Sequence, residues 1–132
     1  MTEESRIDPT SLPDPSSGPP WRVVVHLDES DPNRQRLAAA NLANLLDDLG
    51  DQQVVAELVA NGPGLDAVLT TSTIGAELDA LMVRGVAILA CANTLRARHR
   101  STADLLPGIE VVPAGISHLV RRQHEGWAYV RP

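Results

Sequence analysis

Short β-branched runs alternate with stretches of helical spacing along most of the chain. Arg22 to Leu27 reads as a strand buried on both faces. Asp31-Pro32 then offers an N-cap followed by proline at the first helical position. From Asn33 to Leu49, Leu37, Ala38, Leu42, Leu45, Leu46 and Leu49 recur at helical spacing, and Gly50 suits the stop. Val54 to Val59 forms a second strand, followed by a turn at Asn61-Gly62-Pro63-Gly64 and a helical turn over Leu65 to Leu69. Ser72 or Thr73 can cap a helix running to about Arg84, ended by Gly85. Val86 to Ala90 is the third strand, with Cys91 at its C-terminal end.

A short helix from about Asn93, capped by Asn93 or Thr94, and a turn near Thr102 to Leu106 precede a three-residue strand, Glu110 to Val112. Pro113-Ala114-Gly115 opens a last helix through Gln123, whose wet face is assigned to Arg121, Arg122 and His124. Gly126 ends it, and Trp127 to Arg131 closes the chain as a fifth strand. Strict alternation of strand and helix predicts an α/β fold: a three-layer α/β/α sandwich around a five-stranded, mainly parallel sheet. The outline is flavodoxin-like; the strand order stays open.

Residues 1–20 break the pattern. They hold five of the ten prolines, with Ser, Asp and Glu, and almost no large apolar side chains. Such a segment buries too little surface to offset its ordering entropy, so a disordered arm is expected there and a single domain over 21–132.

Composition removes several function classes. The net charge of −6 argues against nucleic acid or an anionic membrane as partner. All 11 cationic side chains are Arg, which excludes Schiff-base and P-loop lysine chemistry. Nothing approaches the ~20 apolar residues of a membrane span, and the acidic start is unlike a secretory signal. The single cysteine allows neither an internal disulfide nor a multi-cysteine zinc site. A cytoplasmic protein with no metal and no cofactor is the expectation.

Cys91 carries the main chemical lead. It lies where an apolar strand meets a polar turn, at the sheet edge where ligands collect in open α/β folds. Amide N–H groups of the next helix would favour a thiolate there. Asn93 and Thr94 flank it, and Arg96, Arg98, His99 and Arg100 follow within two turns as candidate anion-stabilising groups. Packing is the competing role for the cysteine, and a solvated face the competing role for the arginines. His26, at the end of the first strand, is a candidate base or hydrogen-bond donor if the strand order brings it near Cys91; a strand-end histidine bonded to backbone is the alternative. Asn61, Gly62 and Gly64 lack both the P-loop lysine and the dinucleotide spacing. They suit a tight turn walling a pocket around Cys91.

Together these segments resemble the DsrE/DsrF-like family of sulfur-relay proteins. The resemblance runs from about Arg22 to the C-terminus. It rests on the Gly85-Val86 and Ala90-Cys91-Ala92-Asn93-Thr94-Leu95 stretch, on Val112-Pro113-Ala114-Gly115, on Gln123-His124-Glu125-Gly126-Trp127-Ala128-Tyr129-Val130, and on the glycine turn after strand two. It implies homo-oligomers in which a cysteine, here Cys91, carries sulfur as a persulfide between a donor and an acceptor protein or small thiol. It also implies that other strands separate His26 from Cys91. A dithiol role is unavailable to a chain with one thiol. The rival reading is a non-catalytic oligomeric binding module for a small anion or nucleotide, with Cys91 in its wall.

Overall fold

A computed structural model of the chain describes residues 20–132; the arm expected over residues 1–20 lies outside them apart from Pro20. Five strands form one sheet: β1 (Trp21–Leu27), β2 (Val54–Ala60), β3 (Ala87–Cys91), β4 (Glu110–Val112) and β5 (Ala128–Val130). Four helices alternate with them: α1 (Pro32–Leu49), α2 (Gly75–Val83), α3 (Ala92–Ala97) and α4 (Gly115–His124). Every strand pair is parallel, in the order β4-β3-β2-β1-β5. A flavodoxin-like order, with β1 beside β3, is not what forms: β2 lies between them.

That order distributes the helices. β1 to β4 step across the sheet in one direction, so right-handed crossovers put α1, α2 and α3 on the same face. The chain then returns past β1 to add β5, which carries α4 over the opposite face. The larger core follows suit, joining Val23, Val25 and Leu27 of β1 to Leu42, Leu46, Leu78, Leu81 and Leu95. Beneath α4 the buried set is small, namely Val24, Val59, Leu89 and Leu119. The α4 face therefore has room for polar side chains, and the candidate chemistry lies there.

Local signals explain the helix starts. Asp31 accepts from the Asn33 N–H at 2.9 Å with Pro32 in the first turn, as the Asp-Pro pair predicts. Ser72 does not cap α2: its Oγ accepts from Ile74 N–H at 3.1 Å, and Ile74 is the N-cap. Nor do Asn93 or Thr94 cap α3. Cys91 itself holds that position, because the strand passes directly into the helix.

Candidate functional site

Parallel neighbours end together, so the C-terminal rim of the sheet gathers residues far apart in sequence. Ala60 of β2 pairs with Ala90 of β3, so Asn61 follows beside Cys91 on the adjoining strand. Alternation along the strands turns Cys91, Asn61, Val59 and His26 toward the α4 side. Gly64 then lets the turn after β2 press against β1. A Cβ there would stand 2.0 Å from the Leu27 carbonyl oxygen, a distance only glycine avoids.

Cys91 is 5% exposed, and polar donors stand among its neighbours. Gly115 N–H, at the first position of α4, donates to Sγ at 3.2 Å. On the other side lies the start of α3. Burial pushes the thiol pKa up and is the largest single influence; the Thr94 hydroxyl and the amides of Gly115, Thr94 and Asn93 together outweigh it. The result lies below the ordinary 9.0 of a thiol. Thr94 Oγ1 also accepts from Gly62 N–H at 2.9 Å, which ties the glycine turn to the cysteine through one hydroxyl. Asn61, Gly62, Thr94 and Cys91 thus form one cluster, with Gly64 supporting it from behind.

The basic run behaves differently. Arg96 reaches back to Asn93 Oδ1, and Arg98 pairs with Asp66 at 2.6 Å. The donors that hold the Cys91 pKa down are hydroxyl and amide groups. Arg98, Asp66, Asn93, Thr94, Gly62 and Ser30 instead line an open cleft of about 660 Å³ beside the cluster.

His26 stands two strands from Cys91 and is bonded by side chains, not backbone. Its Nε2 lies 2.8 Å from Asn61 Oδ1 and its Nδ1 2.7 Å from the Tyr129 hydroxyl. The histidine therefore meets the cysteine's neighbourhood through Asn61.

A second polar cluster was not foreseen from sequence. Glu57 lies in β2, only 7% exposed, and accepts from His118 Nε2 at 2.7 Å and from Arg122 Nε and Nη2 at 2.9 and 2.7 Å. Burial raises the Glu57 pKa, yet bonds from Arg122 and His118 overcome it and hold the carboxyl below 4.5. The Arg122 guanidinium also lies 4.5 Å from the Trp127 ring centre. Arg122 thus leaves the wet face expected for it and clamps α4 to the sheet, while Val120 and Ile116 turn outward at 58% and 62% exposure. The one available signal was a lone acid inside an apolar strand. Among the described residues, no group of three or more His, Cys, Asp or Glu is arranged to hold a metal ion, and no helix is long and apolar enough to cross a membrane.

Comparison with known proteins agrees with this architecture. The family model described as DsrE/DsrF-like matches residues 23–132. No curated protein matches the chain. A solved structure of MTH1491 from Methanobacterium thermoautotrophicum, a protein of unknown function, is 44% identical; the match covers 85% of this chain and 99% of that one, with a TM-score of 0.81. On the extent of the family match and on the shared fold, the chain belongs to the DsrE/DsrF-like family.

Proposed function

We propose that this protein is a single-thiol sulfur carrier, with Cys91 as the atom that accepts and releases sulfane sulfur. The observation that carries the reading is the donor set around Sγ, which favours the anion despite burial. A thiolate is the nucleophile in such exchange. Cys91 S⁻ attacks the outer sulfur of a donor persulfide, R–S–SH. The new Sγ–S bond forms as the donor's S–S bond breaks, leaving Cys91–S–SH and R–S⁻. An acceptor thiolate then takes the outer sulfur by the same exchange and regenerates Cys91 S⁻. No net oxidation occurs and no second cysteine in the chain is needed. Because Cys91 is only 5% exposed, transfer requires the turns above it to part.

The test is mass spectrometry after incubation with a persulfide donor. One added sulfur atom on Cys91, absent in Cys91→Ser and removed by a thiol acceptor, is expected; a Cys91 that never gains sulfur overturns the proposal. Self-association is part of the same reading. It is supported by Ile116, Val120 and Val55, exposed on the α4 side, and light scattering on the native chain tests it. A cytoplasmic location is likewise proposed.

One observation favours the rival binding module, namely the cleft of about 660 Å³ beside Thr94. Under that reading a small anion or nucleotide raises the melting temperature equally in the native chain and in Cys91→Ser, without persulfide formation.

A further inference from the structure

We propose that Glu57 is a positioning residue for Cys91: by gripping His118 and Arg122 it sets how α4 is turned on the sheet, and so brings the Gly115 amide onto the sulfur. The inference rests on the sulfur-carrier reading and adds to it a residue remote from the thiol.

The direction of each bond follows from the groups that make it. A carboxylate only accepts, so His118 and Arg122 donate to Glu57, and the backbone N–H of Gly115 donates to Sγ. Gly115, His118 and Arg122 fall three and four residues apart, on one stripe of α4. Glu57 and Val59 of β2, with Asn61 just beyond it, fall two apart and face that stripe. A Cβ on Gly115 would stand 3.1 Å from Asn61 Cβ and 3.3 Å from Val59 Cγ1, while the far end of the stripe grips Glu57. The helix thus runs along β2, with its start at the rim and its clamp roughly 13 Å behind, at about 3.3 Å per strand residue.

Little else fixes that placement. Apart from Gly115, Leu119 is the one buried residue of α4, and no side chain caps the helix start. Pro113 and Ala114 tether α4 to β4, which decides where the helix begins but not how it is turned. Backbone atoms lie about 2 Å from a helix axis, so a turn of roughly 30° displaces the Gly115 amide by about 1 Å. Its 3.2 Å contact with Sγ then opens beyond hydrogen-bond range.

In Glu57→Gln the side chain keeps its size, but an NH2 group replaces one accepting oxygen and confronts a donor. Two effects then have opposite signs at Cys91. Removing a negative charge and releasing the Arg122 cation both favour the thiolate and lower its midpoint. Loss of the Gly115 amide raises it. Ultraviolet titration of the full chain reads the midpoint, and NMR of the Gly115 amide follows the same titration. In the native chain the Gly115 signal moves with the thiolate. In Glu57→Gln that movement shrinks and the midpoint rises by up to roughly one unit, about a tenfold loss of thiolate below it. An unchanged or lowered midpoint overturns the proposal, as does a native Gly115 signal that ignores the titration. Arg122→Met combined with Glu57→Met separates positioning from support, because it regains part of the stability without restoring the clamp. Its midpoint stays raised; one that returns to the native value as stability recovers overturns the proposal as well. Neither readout needs sulfur transfer, so a Cys91 that takes up no sulfur sinks the carrier reading separately.

Discussion

Replacing Thr94 with Val separates a poised thiol from a packed one. The lone pairs of Thr94 Oγ1 take the Gly62 N–H at 2.9 Å, leaving its proton for Cys91. Val keeps the shape and removes both bonds. A hydrogen bond to a charged group contributes about 1.5–3 kcal/mol, and each pKa unit corresponds to about 1.4 kcal/mol. Loss of the hydroxyl therefore raises the thiol pKa by roughly one to two units. Rates at one pH would understate this, because nucleophilicity rises with pKa along a Brønsted slope of about 0.4–0.5, cancelling nearly half the loss of thiolate. The proper assay is the full pH titration of thiolate absorbance, which requires no reagent to reach a buried sulfur. Thr94→Ser, which restores the hydroxyl, returns the midpoint to its native value. An unchanged midpoint in Thr94→Val, or a Ser variant that behaves like Val, would refute the role given to Thr94.

Two further outcomes concern the frame that holds the site. Arg122→Met leaves Glu57 buried with His118 as its remaining partner, and because Arg122 is partly exposed the cost is about 2–3 kcal/mol, near or below the usual range for a broken buried pair. At this chain length that lowers the melting temperature by roughly 10 °C, and Glu57→Met in the same chain recovers part of it; additive effects would contradict a coupled cluster. The folded Glu57 pKa is depressed, so its contribution is present above 4.5 and disappears as pH falls through the folded value. The stability gap between native and Glu57→Met chains should accordingly narrow in acid, and a gap constant with pH would count against it. Gly64→Ala, with its Cβ driven 2.0 Å from the Leu27 oxygen, costs at least the ~1–3 kcal/mol of ordinary overpacking, measured by denaturant midpoint. A neutral result there would mean the glycine turn is not held against β1.

Much of the site was legible because parallel strands end at a common rim. Once Val54 to Val59 and Val86 to Ala90 are read as strands and paired side by side, the turns after them face the same edge, and Asn61, Gly62, Thr94 and Cys91 become neighbours. Gly115 was visible as part of a motif but not as the amide that meets Sγ. That role depends on α4 crossing to the second face. His26 looked like a direct neighbour of Cys91 only under one strand order, and in the order that forms it meets Asn61 instead.

What the sequence determined by itself was local: the alternation of strand and helix, the Asp31-Pro32 helix start, and the thiol at a strand end. These follow from side-chain period, proline geometry and capping, which operate within a few residues. Tertiary structure alone decided the strand order, the crossing of α4, and the inward turn of Arg122 onto Glu57, 65 residues away in the chain. The physical reason is that a helix can rotate about its axis without changing its internal hydrogen bonds. Which of its faces meets the sheet is settled by the partner waiting there, and in this fold that partner is a buried carboxylate.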